Sequence, residues 1–202
     1  MGRTANYSQE RCSVAATLEV VGDPWTMLIL RDAFNGTRRF EQWQSKLGVA
    51  RNVLAARLKS LTQHGVLVKQ AYTDRPPRYE YLLTQKGRDL FPLMTVMLNW
   101  GDTHVYGEGS EPRTYTHTAC GGQLKTMVVC ECCGAKPHPN DIRAANAAGA
   151  LTVGQAMSRI EANDRRPQVE ICASSAMDTS VTAAAVVAMN PPPRTRSRSA
   201  AS

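Results

Sequence analysis

The sequence predicts a mainly helical α+β fold carrying one small β-hairpin, the layout of a winged helix-turn-helix. Three observations predict it. Apolar residues recur at helical spacing from residue 14 to residue 64, in segments broken by Asp-Pro, Asn-Gly and Gly-Val. Two of those segments, 40–47 and 50–64, are short, amphipathic and joined by a Gly-containing turn. Directly after Gly65 the pattern changes to that of two strands around a turn rich in proline and charge.

The elements follow in order. A first helix is expected over 14–21, with Leu18 and Val21 inward. Asp23-Pro24 starts the next: aspartate caps free N–H groups and proline suits the first helical position. Trp25, Leu28, Ile29 and Ala33 then share a face, and Asn35-Gly36 ends the helix. Phe40, Trp43 and Leu47 line the third helix, before a tight break at Gly48-Val49. Leu54, Leu58 and Leu61 form the apolar stripe of the fourth, over 50–64. Residues 65–70 and 78–83 read as strands around the turn 73–77. After Thr84, an N-cap candidate, a helix is expected to about residue 100, with Pro92 as a possible kink. Its stripe of Leu90, Leu93, Met97 and Trp100 needs a partner, either the domain's own core or a second subunit.

The 202 residues divide into a patterned domain, 1–105, and a cysteine-rich segment, 112–140. An Ala-rich extension (141–189) and a basic tail (190–202), read as disordered, follow. In the extension, 150–161 reads as one short helix with Leu151, Met157 and Ile160 as its apolar residues. No run of 18 apolar residues marks a membrane span, and the opening MGRTANYSQERC lacks the apolar core of a signal peptide. A cytoplasmic protein with reduced thiols is expected.

The net charge of +7 favours a polyanionic partner, with nucleic acid first. Arg38, Arg39, Lys46, Arg51, Arg57 and Lys59 stand against the single acid Glu41 between residues 38 and 59. The fourth helix turns Arg51, Asn52, Ala55 and Lys59 away from its leucines. Arg grips guanine and Asn grips adenine through paired hydrogen bonds in the major groove, and small Ala55 and Ala56 allow close approach. Arg75 and Arg78 at the hairpin tip are placed for a phosphate or the minor groove. The bland alternatives are a solvated basic face and an internal ion pair for Arg57. A helix-turn-helix, a basic recognition face and a basic wing in this order point to double-stranded DNA.

The same residues carry a family resemblance. Cys12-Ser13-Val14, the run Gly22-Asp23-Pro24-Trp25-Thr26-Met27-Leu28-Ile29-Leu30, Arg39-Phe40 and the stretch from Val49 to Lys59 resemble the HxlR-type winged-helix regulators. So do Pro76-Pro77-Arg78-Tyr79-Glu80-Tyr81-Leu82-Leu83-Thr84, Gly87 and Trp100-Gly101. The resemblance covers about residues 7 to 105. It implies a bacterial transcription factor that binds a two-half-site operator as a homodimer, dimerising through segments 7–20 and 85–104. It also implies repression or activation governed in some members by oxidants or electrophiles, leaving the small-molecule or oxidant signal here open. One departure stands out. Ala50 occupies a position where many members have Ser or Thr, and alanine cannot cap the recognition helix, a loss of about 1 kcal/mol. Asn52 is the available local substitute.

Two cysteine features remain. Cys12 follows Arg11 near the first helix start, where cation and helix terminus both favour a thiolate. It is a candidate redox sensor, as the resemblance also implies, or else a small apolar side chain in a dimer interface. Further on, His117-x2-Cys120 and Cys130-x2-Cys133 are nine residues apart, each followed by glycine. They suit one structural zinc in a hairpin with a strand through Met127-Val128-Val129, or a hairpin of reduced thiols without metal. Cys132 is left over, and His138 is a possible substitute ligand. The chain shows no Ser/His/Asp set, paired catalytic carboxylates, phosphate loop or dinucleotide fingerprint, so no enzyme is expected. The alternative function is a winged-helix protein-interaction module with a zinc-stabilised cysteine hairpin.

Overall fold

The computed structural model describes residues 6–164 apart from 108 and 146. The expectations for 165–189, including Cys172, and for the tail 190–202 lie outside the described residues. Four helices come first: α1 (Ser13–Val21), α2 (Pro24–Phe34), α3 (Phe40–Leu47) and α4 (Arg51–Gln63). Strands β1 (Leu67–Asp74) and β2 (Pro77–Leu83) follow as an antiparallel hairpin. Then come α5 (Gln85–Arg88), α6 (Phe91–Gly101), a π-helical turn (Asp102–Tyr106), a 3₁₀ turn (Pro139–Asp141) and α7 (Val153–Asp164). This is the winged helix-turn-helix fold.

Local chemistry sets these boundaries. Asp23 Oδ1 accepts from the N–H groups of Trp25 and Thr26 at 3.0 and 3.2 Å, capping α2. Gly48, at φ 61°, turns the chain between α3 and α4 in a conformation that favours glycine. The core lies where these helices meet the hairpin. Ile29, Leu30, Trp43, Leu54, Leu58, Leu61, Val66 and Leu67 are fully buried there. Each of the three α4 leucines contributes roughly 1.5–3 kcal/mol by leaving water. Trp43 also donates its indole N–H to the Ile29 carbonyl at 3.2 Å.

Several expectations need correction. Leu18 and Trp25 are exposed, at 41% and 37%, because α1 buries Ala15 and Val21 and α2 buries Thr26, Ile29 and Leu30 instead. The strands run closer to the tip than expected, leaving only Arg75 and Pro76 between them. The helix after Thr84 is broken rather than kinked. Pro92 has no N–H to offer the carbonyl four residues back, so the helix restarts with Pro92 in its first turn. In α6, Met94 is buried and Leu98 packs on the core, as does Leu90 just before it, whereas Leu93, Met97 and Trp100 of the expected stripe are exposed.

No strand forms at Met127-Val128-Val129 either; all three are exposed. The bridge in this region pairs Thr116 with Gln123. The short helix expected over 150–161 is α7, in which Val153 is buried. Its first N–H groups meet the N-terminal segment: Val153 donates to the Glu10 carbonyl at 2.7 Å and Gly154 to that of Ser8 at 2.9 Å. Among the described residues no single helix is long and apolar enough to cross a membrane.

Candidate nucleic-acid interface

Because Leu54, Leu58 and Leu61 anchor one side of α4 in the core, Arg51, Asn52, Ala55, Ala56 and Lys59 are fixed on the exposed side. Asn52, Ala55, Ala56 and Lys59 form an open surface, and the side chains of Asn52 and Lys59 make no bond within the described residues. Asn52 therefore does not substitute for a cap. Ala50 occupies the N-cap with φ −58° and ψ 138° and offers no side-chain acceptor. Arg51 is held back against α3: its Nη1 donates to Gln44 Oε1 at 3.2 Å, and its guanidinium stacks 4.8 Å from the Phe40 ring centre.

The start of α3 is tied to the wing. Gln42 Oε1 accepts from the backbone N–H groups of Arg38 and Arg39 at 3.1 and 3.0 Å. The Arg38 carbonyl accepts from Tyr81 N–H of β2 at 2.8 Å, and the Arg38 side chain is exposed. Arg39 bridges to Glu80 at 2.9 Å and lies over the Tyr72 ring at 4.5 Å. Its hydrogen bond to Glu80, with Tyr72 adding to it, holds the guanidinium above its ordinary range. Arg39 thus fixes the wing against α3, with only part of its guanidinium left open to solvent.

Tyr72, Glu80 and Lys69 are the residues sequence reasoning missed. Tyr72 is the unpaired residue of a bulge, since the register skips from Ala71 to Thr73. No sequence signal marked it: the segments read as strands, 65–70 and 78–83, are equal in length, and the bulge shows only in the register. Lys69 lies 3.9 Å from the centre of the Tyr79 ring and adds a cation to the wing. Arg75 and Arg78 are exposed at the tip, as expected. Two further cations of the basic cluster are occupied internally. Lys46 donates to Thr37 Oγ1 at 2.7 Å, and Arg57 pairs with Asp23 Oδ2 at 3.2 Å, tying the α2 cap to α4.

Away from this surface, Cys12 is exposed at the N-cap of α1. The cysteine-rich arm touches the body through Asn35, whose Nδ2 donates to Tyr115 Oη at 3.4 Å. A cavity of about 330 Å³ separates α6 and the π-helical turn from residues 111–127. His117 Nδ1 lies 3.3 Å from Cys120 Sγ. Backbone N–H groups of Cys133 and Cys132, and then the Cys133 thiol, hold the Cys130 thiol below its ordinary range. Each pair is therefore brought together. Among the described residues, no three His, Cys, Asp or Glu side chains are already gathered around a metal-sized point.

The family model described as HxlR-like helix-turn-helix matches residues 20–109. The uncharacterized HTH-type transcriptional regulator Rv3095 of Mycobacterium tuberculosis (strain ATCC 25618 / H37Rv) is 41% identical over 122 residues, covering 60% of this chain and 77% of that one. An HTH-type transcriptional regulator of Synechocystis, sll1512, is 33% identical over 101 residues, 50% of this chain and 75% of that one. Among solved structures, the crystal structure of PA1607, a proposed transcription factor, aligns with a TM-score of 0.64 at 37% identity. That alignment covers 70% of this chain and 99% of PA1607. PA1374 of Pseudomonas aeruginosa, also a proposed transcription factor, aligns with a TM-score of 0.51 at 30% identity, covering 72% and 99%.

Proposed function

The chain belongs to the HxlR-like helix-turn-helix family of transcriptional regulators, and from that premise we propose that it binds a two-half-site operator in double-stranded DNA as a homodimer. The observation that carries this reading is the open face of α4, where Asn52, Ala55, Ala56 and Lys59 stand clear of internal partners beside a wing tipped by Arg75 and Arg78. α4 enters the major groove, and the wing meets phosphates or the minor groove. We keep 1–105 as the DNA-binding and dimerisation domain and 112–140 as an appended arm.

The homodimer has its own support. Val14 and Leu18 on α1 are exposed, as are Val96, Met97 and Trp100 on α6. Val105 and Tyr106 in the π-helical turn extend the same sequence region. Trp100 alone is 61% exposed, and such apolar surface calls for a partner. The expected dimerisation segments, 7–20 and 85–104, hold all of these but the last two.

The deciding experiment measures affinity for the DNA upstream of the protein's own gene against a random duplex, across salt. Preference for the upstream DNA, with log affinity falling linearly in log salt, is the expected result. Equal binding to both duplexes at every salt concentration would leave the protein-interaction module as the better reading.

For the signal we assign an oxidant or electrophile acting at Cys12, supported by its exposure at a helix N-cap beside Arg11. Cys12→Ser should hold DNA through electrophile treatment that releases the parent protein. Equal release from both would remove Cys12 from this role.

A further inference from the structure

The cysteine-rich arm contains two turns of the same construction. In the first, His117 N–H donates to the Gly122 carbonyl at 2.8 Å, and Gly121 N–H donates to the His117 carbonyl at 2.8 Å. In the second, Cys130 N–H donates to the Ala135 carbonyl at 2.9 Å, and Gly134 N–H donates to the Cys130 carbonyl at 2.8 Å. Gly121 and Gly134 hold the same φ of 69°, a left-handed conformation that favours glycine. Position for position, His117 matches Cys130 and Cys120 matches Cys133. Nothing in the fold of the DNA-binding domain requires this duplication.

We propose that His117, Cys120, Cys130 and Cys133 form a structural Zn²⁺ site, each turn supplying two ligands. The first turn already has the spacing a zinc ion needs. Zinc–nitrogen and zinc–sulfur bonds of about 2.05 and 2.3 Å at a tetrahedral angle set N and S about 3.6 Å apart. His117 Nδ1 and Cys120 Sγ stand at 3.3 Å. The second turn repeats the backbone of the first, which sets Cys130 and Cys133 in the places of His117 and Cys120.

The two halves close on the metal through the connector between them. Nine residues span up to about 30 Å when extended. Residues 125–129 make no backbone hydrogen bond among the described residues, so the connector has slack to draw the turns together. On binding, the three thiols release their protons to solvent and the imidazole binds through neutral Nδ1. Three thiolates and one imidazole fill a tetrahedron, so the site is closed and structural.

The geometry also separates ligands from bystanders. Cys132 has no counterpart in the first turn, where Ala119 occupies the equivalent position. His138 is used locally: its Nδ1 accepts from Asn140 N–H at 3.3 Å, and its own N–H donates to Asp141 Oδ2 at 3.1 Å.

The test is metal content of the full chain, expressed with added zinc and purified without chelators or a metal-affinity tag. About one zinc per chain is expected. Replacement by Co²⁺ should give thiolate-to-metal charge-transfer absorption with the intensity of three Co–S bonds. Cys120→Ser, Cys130→Ser and Cys133→Ser should each weaken zinc retention against a competing chelator roughly tenfold or more. Cys132→Ser and His138→Ala should keep the parental stoichiometry and spectrum, which guards against misfolding as the cause of loss. Zinc below about a tenth per chain in the parent would overturn the proposal. So would a Cys132→Ser protein that loses zinc as fully as Cys133→Ser.

Discussion

The DNA-binding body and the cysteine-rich arm are stabilised in opposite ways. In the body, distant parts of the chain hold one another. Asp23 of the α2 cap pairs with Arg57 of α4, Arg39 at the start of α3 pairs with Glu80 of β2, and Trp43 bonds across to Ile29. In the arm, the recurring bonds are local, closing turns of five or six residues, with Met127, Val128 and Val129 left exposed between them. A scaffold that must present α4 rigidly needs the first kind of cohesion. A segment organised as two self-contained turns depends on an added cross-link to become one unit.

The sharpest way to break this comparison is to remove a large side chain from each region. Trp43→Ala should destabilise the body by about 3–5 kcal/mol, through lost burial and an unfilled cavity. Val128→Ala, at a residue 70% exposed, should stay within about 0.5 kcal/mol. Denaturant titration followed by circular dichroism checks both. A comparable loss at Val128 would mean that the arm has a core of its own.

Next in size are the substitutions on the recognition face. Asn52→Ala should cost about 1–3 kcal/mol in operator affinity while leaving random-DNA binding and thermal stability near the parent's. Arg51→Ala should also lose sequence preference, but it removes the contacts to Gln44 and Phe40 as well, so a small stability loss accompanies it. Arg75→Ala and Arg78→Ala should weaken binding to all sequences alike and flatten the salt dependence. Fluorescence anisotropy on operator and random duplexes separates these patterns. Equal losses on both duplexes for Asn52→Ala would contradict base readout by that residue.

How much of this was legible in the sequence follows the same division. Helices α2 to α4 could be read because Asp23-Pro24, Gly48 and the leucine spacing are local signals that agree with the final packing. Leu18, Trp25 and the α6 stripe were misjudged because each helix has more apolar residues than one core can cover. Periodicity finds a face without saying which neighbour takes it. Arg39 illustrates a further limit. Its charge was visible, but its occupation by Glu80 and Tyr72 depends on the bulge register, which no single segment encodes. In the arm, spacing and glycines marked the two turns. The strand expected between them failed because the turns satisfy their backbone groups internally and leave it no partner.

A smaller effect is expected at the tie between α2 and α4. Asp23 carries two roles: Oδ1 caps α2, and Oδ2 meets Arg57. Asp23→Ala should cost about 1–2 kcal/mol, whereas Asp23→Asn, which retains a capping oxygen, should recover most of that. If the two variants are equally destabilised in thermal melts, the ion pair outweighs the cap.

The smallest expected effect is a gain. α4 begins at Ala50 with its first N–H groups unmatched by any side chain, although the backbone there is already extended. In Ala50→Ser the hydroxyl would accept from the N–H of Asn52 or Val53 without moving the chain, adding about 0.5–1 kcal/mol. For a chain of this size that raises the melting temperature by roughly 1–4 °C. The substitution lies at the end of α4 that the proposed function sets against DNA, so the two readouts separate the possible roles of the alanine. A higher melting temperature with unchanged operator affinity makes Ala50 a plain local weakness in an otherwise well-tied body. A higher melting temperature with weaker binding means that the uncapped N–H groups at this helix end are reserved for a phosphate, which the serine would displace.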